Sequence, residues 1–180
     1  MNLSSISSTL FPDPPNPHVI GKEPVAAVAL IVVDNQLFMI KRAEKEGDPW
    51  SGHMAFPGGR YETQDEDLRS TAERETFEEV GIKLDASSYL GPITPLNHPR
   101  LTVYAYVYQL DQKPLIKINE EVERYFWFSF ESLLEPNHQK PYEFTYQAKV
   151  MTFPSIQAQN VTIWGITFQF LSDLLSRITE

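Results

Sequence analysis

Two apolar runs joined by a single turn pair constrain this chain's fold more than any other feature. PVAAVALIVV (24–33) and QLFMIKR (36–42) flank Asp34-Asn35. Branched apolar runs of this length around such a pair read as a hairpin of buried strands. Further on, YLGPITPL, LTVYAYVYQL and VERYFWFSF read as strands rich in aromatic and β-branched residues, with a short helix at SFESLL and a strand or hairpin at YEFTYQAKVMTF. Between these groups, residues 65–80 (Asp65 to Val80) predict a helix, opened by Asp and Glu at the positive end of its dipole and stopped by Gly81. TIWGITFQFLSDLLSRI (162–178) carries Ile166, Phe170, Leu174, Leu175 and Ile178 at helical spacing and predicts a C-terminal amphipathic helix. Strands on both sides of one strong helix imply a mixed α/β sandwich.

A chain of 180 residues is long enough for one buried core and short for two. The expected organisation is an extended Pro/Ser-rich arm over 1–23, with Pro12, Pro14, Pro15 and Pro17 excluding a helix, followed by one domain over 24–180. Such an arm is suited to crossing onto a neighbouring subunit, which would make a homodimer. The absence of cysteine removes disulfides, thiolate catalysis and cysteine-ligated metals. The start of the chain has neither a basic n-region nor a long apolar stretch, so the expectation is a cytoplasmic protein with no membrane partner. A net charge of −9 argues against nucleic acid, whose binding rests on Lys and Arg neutralising phosphates.

Within the predicted helix, RETFEEVG (74–81) places Glu75, Glu78 and Glu79 within one arc. Like charges at these spacings cost an isolated helix about 0.2–0.5 kcal/mol per pair, so stability alone does not account for them. Hard divalent cations prefer such oxygens, completing their shell with water and substrate phosphates. The upstream turn FPGGR has two glycines, which let backbone approach a ligand that a Cβ would block. Arg74 can hold one glutamate in a fixed orientation through a bidentate contact. The less polar flank, formed by Ala72, Thr76, Phe77 and Val80, is expected to pack on the sheet while the carboxylates face out. Asp65 and Glu66 are expected to cap the helix.

This joint pattern resembles the Nudix box: Gly, five residues, Glu, seven residues, then Arg-Glu-U-x-Glu-Glu-x-Gly-U, where U is aliphatic or similar. Arg74 to Ile82 match its second half, while the first half carries one extra residue, eight separating Asp65 from Arg74. DPWSGHMAFPGGR, NEEV followed by FWF, and WGIT are similar to the coenzyme A pyrophosphatase-like branch of that family. The resemblance implies an α-β-α sandwich around a mixed sheet and a metal-dependent hydrolase of nucleoside diphosphate derivatives using Mg²⁺ or Mn²⁺. It implies Glu75, Glu78, Glu79 and the Gly59 carbonyl as metal ligands, Arg74 orienting the cluster, and Glu75 or Glu121 as general base. Arg42, His53 and Arg60 are candidates for substrate contact. His98 and Arg100 read as a turn. Coenzyme A or its derivatives are the favoured substrate, with ADP-ribose and other nucleotide sugars, oxidised nucleoside triphosphates, or a non-catalytic nucleotide-sensing role as alternatives.

Overall fold

The computed structural model describes residues 24–98, 101–146 and 148–179. The predicted arm and Arg100 lie outside the described residues, as does the side chain of His98. Strands β1 (Val25–Val33) and β2 (Gln36–Arg42) form the expected hairpin, with Asp34 in the left-handed region at φ 52°. They remain paired only at Val32↔Leu37 and Val33↔Gln36. Beyond that point they part, and the segment carrying β3 (Met54–Ala55) and β4 (Gly58–Arg60) enters between them. β3 pairs with the end of β2, and β4 with the start of β1 through Ala26↔Arg60, Ala27↔Gly59 and Val28↔Gly58.

The rest of the main sheet follows from long apolar strands. β5 (Tyr89–His98) pairs antiparallel with β6 (Leu101–Leu110), and β6 runs parallel to β1 from Val25↔Thr102 to Val33↔Leu110. β7 (Val122–Ser129) pairs antiparallel with β2, with a register shift between Lys41 and Arg42. Period-2 alternation divides these side chains between two cores. On one face Ala29, Ile31, Phe38, Ile40, Tyr106 and Tyr108 pack beneath α1 (Leu68–Val80). On the other, Leu30, Val32, Met39, Phe126 and Phe128 pack beneath the C-terminal elements. The architecture is therefore α-β-α around a mixed sheet.

The expected helix from Asp65 begins three residues later. Asp67 is its N-cap, accepting from Ser70 N–H at 2.7 Å while Ser70 Oγ accepts from Asp67 N–H at 2.9 Å. Gly81 ends it, donating to the Phe77 carbonyl at 2.9 Å. The expected packing flank is also corrected. Thr76 and Val80 are buried, but Phe77 is 58% exposed, and Glu79 turns inward at 2% exposure.

After α2 (Phe130–Leu134) and a short 3₁₀ turn (Pro136–His138), a second sheet forms from β8 (Gln139–Tyr146), β9 (Lys149–Ala158) and β10 (Val161–Trp164). The helix expected from Thr162 starts only at Gly165, as α3 (Gly165–Thr179). Thr162 to Trp164 instead pair with β9 across a two-residue Gln159-Asn160 turn, with φ 49° and 63°. Both central residues at positive φ is the hairpin geometry that matches strand twist. The Ile166 to Ile178 stripe packs onto the core face as expected, with Phe170, Leu171 and Leu174 fully enclosed.

The narrow passage of β4 beside β1 yields the first prediction. Gly58 has φ 148°, and a Cβ there would overlap the Ala27 and Val28 backbone, which cannot yield as a flexible side chain can. Gly58→Ala is expected to lower the free energy of unfolding by about 2 kcal/mol or more, measured by urea titration.

Candidate functional site

The Gly58-Gly59 insert brings backbone against the α1 carboxylates. Gly58 N–H donates to Glu79 Oε2 at 2.9 Å, and the Glu75 carboxylate lies where a Cβ on residue 59 would stand. The three glutamates span a gradient from core to solvent: Glu79 is enclosed, Glu75 is partly covered, and the Glu78 side chain is 53% exposed. The fourth predicted carboxylate reaches the site by a different route. Lys117 N–H and Asn119 N–H donate to the Val80 and Glu79 carbonyls at 2.9 and 3.0 Å, fastening that loop to the end of α1. Glu121 N–H then donates to Asn119 Oδ1 at 2.9 Å, and its carbonyl accepts from Ala43 N–H at 2.9 Å.

Charge follows this geometry. Burial pushes the Glu79 carboxyl up to about 8, with Glu75 and Glu121 adding repulsion, against the Gly58 hydrogen bond and the Arg42 charge. Glu75 is also raised, first by burial and then by the Glu78 and Glu121 charges, with Arg74 opposing. The carboxylate of Glu121, exposed on its loop, therefore acts electrostatically on both.

The sequence assigned Arg74 a bidentate grip on one glutamate. Its bidentate partner is instead Asp65, through Nε to Oδ1 at 2.7 Å and Nη2 to Oδ2 at 3.0 Å. The remaining donors reach Glu75 Oε1 at 3.0 Å, Glu78 Oε2 at 3.3 Å and the Arg60 carbonyl at 3.2 Å. Asp65 is thus not the helix cap expected of it but a buried anchor, which also accepts from Glu62 N–H at 3.0 Å and Thr71 Oγ1 at 2.8 Å. Burial alone would raise its carboxyl. The hydrogen bonds from Arg74, Glu62 and Thr71, with the Arg74 charge, bring it below its ordinary value. Glu66 is exposed.

Of the predicted substrate contacts, Arg42 lies nearest this chemistry. Its Nη2 pairs with Asp48 Oδ2 at 2.9 Å, its charge acts on Glu79, and its buried Nε–H has no hydrogen-bond partner. Such an unsatisfied donor costs about 1–3 kcal/mol unless an acceptor arrives. The Arg60 side chain is exposed, its carbonyl being the part tied to Arg74. His53 stands apart from the carboxylates, its ring 5.0 Å from that of Trp164, and burial holds its imidazole below the ordinary value.

Among the described residues no three acidic or imidazole groups converge into a closed cage. Instead Arg74 lies between Glu75 and Glu78. The donor set still fits a hard divalent cation: three carboxylates on one helix, a fourth within electrostatic reach, and a glycine pair whose bare backbone lets the Glu75 carboxylate close against it.

A family model described as the NUDIX domain matches residues 22–148. The chain belongs to the NUDIX domain family. Curated relatives include a probable nudix hydrolase of Schizosaccharomyces pombe, 32% identical over 132 residues, 71% of this chain and 46% of that protein. Another is the mitochondrial coenzyme A diphosphatase NUDT8 of Homo sapiens, 31% identical over 121 residues, 64% of this chain and 51% of that one. The chain thus spans about half the length of these two relatives. Among solved structures, a MutT/nudix family protein from Enterococcus faecalis shares the fold at TM-score 0.61 and 14% identity, covering 98% of this chain and 68% of that one. The MutT protein of Methanosarcina mazei Go1 does so at TM-score 0.57 and 20% identity, covering 89% and 99%. In this NUDIX domain chain, β9, β10 and α3 lie beyond the matched residues.

Two predictions follow from the charge network. Removing the Arg74 anchor by Asp65→Ala is expected to cost about 3 kcal/mol of stability at neutral pH. Because the Asp65 carboxyl lies below its unfolded value, its stabilisation is present above the ordinary carboxylate range. The difference from the parent protein should therefore shrink as pH falls through that range, measured by denaturant titration across pH. Glu79 has the opposite sign. Its folded value of about 8 stands above the ordinary 4.5, so the metal-free folded state retains a proton that the unfolded chain has lost. Stability of the metal-free protein should fall as pH rises between those values, and Glu79→Gln should flatten that slope.

Proposed function

We propose that this protein is a metal-dependent hydrolase of the diphosphate linkage in a nucleoside diphosphate joined to a second group, with coenzyme A or a derivative as the favoured substrate. The observation that carries the proposal is the Glu75, Glu78 and Glu79 carboxylates against the Gly58-Gly59 backbone, with Glu121 within electrostatic reach. Membership of the NUDIX domain family supports the reaction class, and the coenzyme A diphosphatase relative supports the substrate. The proposed domain spans 24–180, with the arm before it, in a cytoplasmic setting suggested by the cysteine-free composition. No helix among the described residues is long and apolar enough to cross a membrane.

In this reading Glu75, Glu78 and Glu79 hold the cation together with the Gly59 carbonyl. Bound Mg²⁺ or Mn²⁺ would supply positive charge to the phosphate oxygens and make a water more acidic. Arg74, anchored by Asp65, fixes the rotamers of Glu75 and Glu78 before substrate arrives. The Arg42 guanidinium, whose charge acts on Glu79, meets a phosphate oxygen, where charge-assisted hydrogen bonds are strongest. Glu121 or Glu75 accepts the proton of the attacking water; burial, with repulsion from Glu78 and Glu121, raises Glu75 toward the range a general base needs.

Glu79→Gln tests the assignment. An amide oxygen can still accept from Gly58 N–H, so the fold should persist. Hydrolysis with Mg²⁺ or Mn²⁺ should fall roughly a thousandfold, as expected when several kcal/mol of transition-state stabilisation is lost. A panel of coenzyme A, ADP-ribose and an oxidised nucleoside triphosphate, read by product mass, should show 4'-phosphopantetheine released fastest. Parental rates in a folded Glu79→Gln protein would sink the proposal.

A further inference from the structure

Between the main sheet and the smaller β8–β10 sheet lies a half-open cavity of about 370 Å³. Its aromatic lining is His53, Phe126, Tyr142 and Trp164. Trp164 is held from behind by Phe144 and Phe153, with ring centroids 4.8 and 5.3 Å away, and flanked by Tyr142 at 4.9 Å and His53 at 5.0 Å. All five rings are only partly buried. Phe128, Phe130 and Phe170 of the core are by contrast fully enclosed.

Polar groups converge on the same space. The β9–β10 turn presents Gln159 and Asn160 to the cavity, both in the left-handed region, and Gln159 Nε2 is fixed to the Trp127 carbonyl at 3.3 Å. That contact leaves its amide oxygen as an acceptor. Lys41 lines the cavity too, paired with Glu123 at 2.7 Å. The charge of Arg42, the next residue on β2, acts both on His53 of that cavity and on Glu79.

We infer that this cavity is a nucleobase site, in which a planar heterocycle lies against Trp164 and Tyr142 and its polar edge meets the Gln159 and Asn160 amides. Aromatic rings accept any base face, and side-chain amides supply the paired donor and acceptor that heterocycle edges present. The volume suits a nucleoside. Lys41 meets the phosphate next to the sugar, and the chain of phosphates then turns round the end of β2 toward Arg42 and the carboxylates. That last connection rests on the hydrolase reading above; the occupancy of the cavity by a base does not.

The test is equilibrium binding of adenosine 5'-monophosphate, which has no diphosphate to cleave, compared with ribose 5-phosphate and 4'-phosphopantetheine by calorimetry. Adenosine monophosphate should bind at least tenfold more tightly than ribose 5-phosphate. Trp164→Ala should weaken it roughly 5- to 100-fold, with ribose 5-phosphate unchanged. Asn160→Gly, which suits the left-handed backbone and leaves the aromatic cluster intact, should weaken it several-fold and guards against misfolding of the tryptophan variant. A parent protein that binds adenosine monophosphate in this way but hydrolyses none of the panel would overturn the catalytic reading and leave the base site standing. Equal affinity for adenosine monophosphate and ribose 5-phosphate would overturn the base site. So would tighter, Trp164-dependent binding of 4'-phosphopantetheine, or adenosine monophosphate affinity unchanged in a folded Asn160→Gly and Trp164→Ala pair.

Discussion

The hydrogen bond from Gly58 N–H to Glu79 is the contact at which sheet, inserted turn and helix meet. Glu79 is enclosed at the seam between α1 and the β1–β4 ladder, where a charged carboxylate without partners would be prohibitively costly. The seam tolerates it because a backbone N–H is aimed at it and because, in the metal-free protein, burial raises its carboxyl to about 8. That arrangement requires β4 to lie close to β1, which in turn requires a residue without Cβ at position 58. One local geometric demand thus sets both the position of the helix and the charge of its most buried acid.

Around that seam the protein supplies its own counter-charge. Arg74 joins Asp65, Glu75, Glu78 and the Arg60 carbonyl through one guanidinium, so the loop before α1 and the acidic face of α1 are held as one body. An exposed ion pair contributes little by itself. Here the Asp65 end is enclosed and hydrogen-bonded on both oxygens, so the more exposed glutamates are oriented from an inner fixed point. The positively charged group also separates carboxylates that would otherwise repel one another.

What could be read from the sequence was what depends on near neighbours. The run from Arg74 to Gly81 fixes its own helical spacing and stop, and the Asp34-Asn35 turn fixes the hairpin. The parting of β1 and β2 was not legible, because it depends on Met54–Arg60 being drawn between them from further along the chain. Asp65 was misread for a related reason: an acid just before a helix satisfies the local capping rule, yet Asp67 takes that place and frees Asp65 for an arginine nine positions on. Phe77 and Glu79 exchanged expected environments because hydropathy does not register a backbone N–H waiting in the core. Thr162–Trp164 joined the helix in the sequence reading because Gln-Asn is a weaker turn signal than Asn-Gly, although both residues adopt positive φ.

The parallel pairing of β1 with β6 carries a consequence for how the molecule forms. Val25 meets Thr102 and Val33 meets Leu110, so the central ladder closes a long loop, and such closure is entropically slow. The glycine insert and the whole of α1 lie inside that loop. A chain still emerging from the ribosome without β6 can form the β1–β2 turn but lacks Tyr104, Tyr106 and Tyr108, which complete the core beneath α1. The core that supports the acids is thereby completed by residues made well after the acids themselves.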